Sequence, residues 1–123
     1  MNWSAIGATL LGIAVLIGAF GAHALRERLD AYATRIYERA AFYQFVHALG
    51  LLALGAALAT GSAAASAAQL AGWLLLAGSI VFCGSLYALA LSGMRMLGAI
   101  TPFGGVALVA GWFVFAYALV AGK

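Results

Sequence analysis

The chain has 123 residues, of which 67% are hydrophobic and 7% charged, with a net charge of +3. A soluble domain carries about a quarter charged residues, and a chain this short has too much surface for its volume to hide so much apolar side chain from water. A water-soluble globular fold is therefore excluded, and the bilayer is the expected partner of most of the surface. The basic excess is read as loop charge, so no nucleic-acid partner is expected.

The first element is apolar from Trp3 to Ala24. It is long enough to cross a hydrocarbon core, which takes about 20 residues. Trp3 suits an interfacial anchor. Ala8-x-x-x-Gly12 and Gly18-x-x-x-Ala22 are pairs of small residues one turn apart, which let a second helix backbone come close. Ala22-His23-Ala24 imitates a signal-peptide cleavage site. However, no Lys or Arg precedes it, and a secretory signal starts with a basic region. A retained first span is the expectation.

Charge then appears abruptly: Arg26, Glu27, Arg28, Asp30, Arg35, Glu38 and Arg39. Leu25, Leu29, Tyr32 and Ile36 recur at spacings of four, three and four, the stripe of one helical face. An amphipathic helix on the membrane surface is expected over 25–39. Asp30 either caps a new helix there, or the helix bends and runs on.

From Ala40 to Met94 there is no Asp, Glu, Lys or Arg. This stretch holds two spans, over about 40–59 and 67–92. Gly61 suits a left-handed helix end, and Ser66-Ala-Ala-Gln69 has the form of a capping box. Gly93 offers the next stop, and a short loop carries Arg95. Thr101-Pro102 then reads as a helix start, with a hydroxyl cap and proline at the first position. The last span covers about 102–121. The fold class is an all-α membrane protein: one domain over residues 1–123, with four transmembrane helices in a compact bundle and a cytoplasmic amphipathic segment between the first two.

Segments 25–39 and 93–101 carry five of the six basic residues and fall on one side; Lys123 is alone on the other. By the positive-inside tendency the arginine side is cytoplasmic and both termini face outward.

The candidate chemistry is sparse. His23 sits at a span border and His47 lies inside the second span. An ionisable residue in a membrane span is a functional hypothesis by default, yet a neutral imidazole also serves as packing glue between helices. Arg39, Tyr43 and His47 share one stripe, read either as a polar track or as a snorkelling arginine beside an interfacial tyrosine and one buried histidine. Gln44, Ser85, Tyr87 and Thr101 complete the candidate polar set. Gly18, Gly21, Gly84, Pro102, Gly104 and Gly105 are the candidate helix-packing positions. Only His23, His47 and Cys83 stand out as ligands, short of a metal site's usual count. No haem-attachment pattern and no catalytic triad partner is apparent. No cofactor and no enzymatic activity are expected.

Four stretches, "GAFGAHAL", "YQFVHALGLL", "GSLYALALSG" and "LGAITPFGGVALVAGW", carry a resemblance. Together they resemble the DUF423 family of small inner-membrane proteins, also described as UPF0382, and the eukaryotic transmembrane protein 256 group looks similar. The likeness covers nearly the whole chain and is weakest between Leu25 and Ala40. It implies a small multi-pass membrane protein of a bacterial inner membrane and no established activity. A non-enzymatic component, assembled as a homo-oligomer or in a larger membrane complex, is the leading expectation. The alternative is a small-solute or proton path lined by Tyr43, His47, Ser85, Tyr87 and Thr101.

Overall fold

A computed structural model describes residues 1–122. It contains four long helices and no strand among the described residues. The helices are α1 (Trp3–His23), α2 (Ala31–Ala59), α3 (Ala65–Ser92) and α4 (Thr101–Ala121), with a short 3-10 turn over Arg95–Ala99. All four are long and apolar enough to cross a membrane. Each packs antiparallel on the next, and the extensive backbone contacts are α1 with α2, α2 with α3 and α3 with α4. The central pair is thus α2 and α3, flanked by α1 and α4.

Local chemistry sets most helix ends. The Asn2 side chain accepts from the Ala5 amide at 3.0 Å and starts α1. After His23 the chain turns through residues 24–29, and the Asp30 carboxylate accepts from the Ala33 amide at 2.7 Å. Asp30 has extended backbone, so α2 begins afresh at Ala31. Its 29 residues make a rod of about 43 Å, longer than a hydrocarbon core of about 30 Å. Gly61 and Gly93 take left-handed backbone, φ +71° and +73°, and end α2 and α3. No Cβ clash opposes that conformation in glycine.

Several expectations need correcting. The charged segment is not a separate surface helix over 25–39. Residues 24–29 are turn, and 31–39 are the first turns of α2, continuous with the span. Asp30 breaks the helical register that Leu25, Leu29, Tyr32 and Ile36 require. Leu25, Leu29 and Ile36 still pack with Tyr37 and Ala90, but Tyr32 is 50% exposed. Ser66 is no cap: α3 starts at Ala65 and makes no side-chain cap bond. The Ala64 amide there donates to the Ala118 carbonyl of α4 at 2.8 Å. Thr101 is no cap either. Trp3 packs inside the bundle and is not an outward-facing anchor. It is 1% exposed, set against Gly72 where a Cβ would collide with its ring. Its indole N–H donates to the Gln69 side-chain oxygen at 2.8 Å, the same side chain the capping box would have used.

Trp3 belongs to the main core with Leu51, Leu54, Ala71, Leu75, Leu108 and Phe115. The outer surface is apolar as well: Phe103 and Val120 are each 76% exposed. Lipid tails are as apolar as the core, so helix association rests on close packing and interhelical hydrogen bonds. Glycines provide the close packing. A Cβ on Gly7 of α1 would lie 2.6 Å from the Ala48 carbonyl oxygen of α2. A Cβ on Gly104 of α4 would lie 2.9 Å from the Gly78 carbonyl oxygen of α3.

Candidate functional site

The polar residues inside the bundle fall into three groups. Gln44 on α2 forms the first. It is 7% exposed, and its amide nitrogen donates to the Leu10 carbonyl of α1 at 2.9 Å. Its amide oxygen accepts from the Tyr87 hydroxyl of α3 at 2.7 Å. One side chain thus ties three helices at membrane depth, where water is not available as a substitute partner. Nearby, the Tyr37 hydroxyl donates to the Ile17 carbonyl at 2.5 Å, and its ring meets that of Tyr87 edge-on at 5.4 Å.

The second group joins α3 to the start of α4. The Ser85 and Thr101 hydroxyls share a hydrogen bond of 2.6 Å, and Ser85 also donates to the Phe82 carbonyl at 3.0 Å. Thr101 spends its hydroxyl across the bundle, which explains why it does not cap its own helix. Pro102 occupies the first turn of α4, where its missing N–H leaves no helical bond unmade.

The third group is aromatic. His47 is 5% exposed and its Nδ1 lies 2.7 Å from the Tyr43 carbonyl oxygen. The Tyr43 ring stacks on His47 at 5.6 Å and on Phe82 at 4.3 Å. Trp112 of α4 packs against His47 at 5.8 Å. Beside this tier, between α2 and α4, runs a groove of about 680 Å³. Arg39 is exposed on the first turns of α2, so the Arg39-Tyr43-His47 stripe runs from the arginine end of the bundle toward its middle. His23 is exposed at the end of α1.

The five residues expected along one path do not line one cavity. Tyr43 and His47 face the α2–α4 groove. Tyr87, with Gln44, borders a smaller groove of about 220 Å³ between α1 and α3. Ser85 and Thr101 bond to each other.

The packing glycines divide too. Gly21 lies against the Tyr37 ring and Gly104 against the α3 backbone. Gly105 meets the Phe82 ring at an ordinary 3.7 Å, and Gly18 and Gly84 have open space where a Cβ would stand. Sequence reasoning missed Gly7, Gly55, Gly72 and Gly78, all of which are tightly opposed. It also missed Tyr37 and Gln69. Trp3, Gly7 and Ala14 are the buried residues of α1, and their spacing of four and seven is the signal that separates this inner face from Ala8 and Gly12.

The family described as "Protein of unknown function (DUF423)" matches residues 17–105. The chain belongs to the DUF423 family. It is 46% identical over 109 residues to a UPF0382 membrane protein of Staphylococcus saprophyticus, covering 89% of this chain and 88% of that one. It is 47% identical over 113 residues to a UPF0382 membrane protein of Staphylococcus epidermidis, covering 92% and 90%. A UPF0382 membrane protein of Staphylococcus haemolyticus is 44% identical over 109 residues, covering 89% and 87%. No solved structure matches the chain. The Gln44–Tyr87 and Ser85–Thr101 bonds and the Tyr43, His47 and Phe82 rings use DUF423-matched residues, whereas Trp112 lies beyond the matched stretch. The inner-face anchors Trp3 and Gly7 lie before the matched stretch.

Proposed function

We propose that this DUF423 protein is a non-enzymatic component of a bacterial inner membrane, working as an oligomer or as an accessory subunit that packs through the outer face of α1. The observation that carries this reading is the contrast between its glycines. Gly7 and Gly21 are filled by α2, whereas Gly12 is exposed and a Cβ on it meets nothing within 4 Å. Glycine costs about 1 kcal/mol relative to alanine in a helix interior. Small residues on a span let another backbone approach, so the exposed Ala8 and Gly12 of α1 suit a second helix from outside the chain. The mass of the purified protein in lipid discs, before and after gentle cross-linking, tests this. A monomer with no partner counts against it.

The turn at 24–30 and the segment 93–100 lie at the same end of the bundle, where Arg28 and Arg95 border one pocket. The positive-inside tendency supports a cytoplasmic arginine end with both termini outward. Lys123, the lone basic residue assigned to the opposite side, lies outside the described residues.

A solute or proton path has less support, because its five proposed residues are divided among separate contacts. His47 keeps the idea testable. Unchanged proton and solute flux in liposomes after His47→Ala removes it.

A further inference from the structure

The groove between α2 and α4 has an unused polar group on its wall. The Tyr43 carbonyl can only accept a hydrogen bond, so His47 Nδ1 carries the proton and donates to it. In neutral imidazole the other nitrogen is then an acceptor. Nε2 has no hydrogen-bond partner among the described residues, and His47 lines the groove although it is 95% buried. The remaining wall is flat and mostly aromatic: Phe82 and Pro102 are apolar, and Tyr43 and Trp112 present rings that each carry one polar group. Its outer lip is formed by Val106 and Val109, which are 69% and 58% exposed on a membrane-length helix. The groove therefore opens sideways into lipid, and a ligand reaches it from the membrane phase.

We infer that this groove binds a membrane-dissolved amphiphile with a flat, hydroxylated ring at its head, of the alkylphenol or quinol class, whose hydroxyl donates to His47 Nε2. Each part of the ligand answers a feature of the wall. A hydroxyl dissolved in hydrocarbon lacks a partner and is drawn to an acceptor. Aromatic rings favour offset or edge-on contact with a second ring, and Tyr43 and Trp112 offer both beside the histidine. An apolar tail leaves between Val106 and Val109 without meeting a polar group. About 680 Å³ falls within the usual range of small-molecule sites, roughly 300–1,000 Å³. The binding face is built from α2, α3 and α4 and does not depend on association through α1.

The probe pair is 4-dodecylphenol and its methyl ether, 4-dodecylanisole, which differ in the O–H alone. The full chain, labelled with ¹⁵N-histidine, is placed in phosphatidylglycerol discs. Only His23 and His47 contribute ring signals, so the two are separable. The phenol is expected to move the His47 Nε2 resonance upfield, saturably, with His23 unchanged. The anisole is expected to bind about tenfold more weakly, the loss of one hydrogen bond to a buried acceptor. Val109→Trp, which fills the lip from outside, is expected to abolish the phenol response while the circular dichroism spectrum keeps its helical form. The inference is overturned if the phenol leaves His47 unmoved, if both probes act equally, or if Val109→Trp responds like wild type. It is overturned equally if Nε2 is already hydrogen-bonded before the probe is added and does not change, meaning that water or a second copy occupies the groove.

Discussion

Tyr87 donates its hydroxyl to the side-chain oxygen of Gln44 at 2.7 Å, and through Gln44 it is linked to the backbone of α1. Of the polar contacts within the bundle, this one joins the most helices. Gln44→Met keeps the volume and removes both bonds. A loss of about 1–3 kcal/mol is expected, since individual hydrogen bonds between membrane helices contribute about 0.6 and at most about 1.7 kcal/mol and the Tyr87 hydroxyl is left unpaired. Unfolding by denaturing detergent measures it. In a cycle with Tyr87→Phe, the coupling should be positive and on the order of 0.6–1.7 kcal/mol; additive effects mean that the bond does not form in lipid.

The glycines of α1 make a second, paired prediction. Gly7→Ala brings a methyl against the Ala48 and Leu52 backbone, which cannot move aside as a side chain can. Destabilisation of about 1–3 kcal/mol is expected from such overpacking. Gly18→Ala meets nothing within 4 Å and should leave the fold as stable or slightly more so, because alanine is the better helix former. Thermal unfolding of the two variants side by side decides it, and equal losses would mean that α1 is rotated from the position described.

The burial of Trp3 has a spectroscopic consequence. Trp3 is 1% exposed, while Trp73 and Trp112 are 51% and 37% exposed on apolar helices. In single-tryptophan variants, with the other two replaced by phenylalanine, lipids with brominated acyl chains should quench Trp73 and Trp112 strongly. Trp3 should be quenched least. Strong quenching of Trp3 would mean that its ring faces lipid and not the core.

Orientation is tested with fusions. Alkaline phosphatase joined after Lys123 should be active, since it folds with its disulfides only outside the cytoplasm. Green fluorescent protein inserted between Gly93 and Met94 should fluoresce. The reverse pair of results would invert the bundle.

Much of this architecture was legible in the sequence because charge is so confined. The charge-free stretches mark the spans, and Gly61 and Gly93 mark two helix ends by a backbone conformation that favours glycine. What stayed hidden depends on partners distant in sequence. Ser66-x-x-Gln69 is a sound local capping motif, but Gln69 is taken by Trp3, 66 residues away. Thr101 looks like a cap until Ser85 claims its hydroxyl. The arginines of 35–39 suggest a surface helix, whereas α2 is simply long enough to carry them beyond the hydrocarbon core. The site was less legible than the fold. Tyr43 and His47 share a stripe in the sequence, but Phe82 and Trp112, which complete their aromatic tier, are brought there by packing. Which small face of α1 points inward is likewise set by the helices around it: Gly7 and Gly21 point inward and Gly12 does not.

The central claim is that the outer face of α1 is an association surface. The most direct test is the mass of the protein in native-like lipid discs, compared between wild type and an Ala8→Leu, Gly12→Leu double variant. Wild type should appear as an oligomer or with a co-purifying membrane partner. The variant should be a monomer without that partner and should unfold at the same temperature, because both positions are exposed on α1. A wild-type protein that is monomeric and alone, or a double variant that associates as wild type does, would contradict the account.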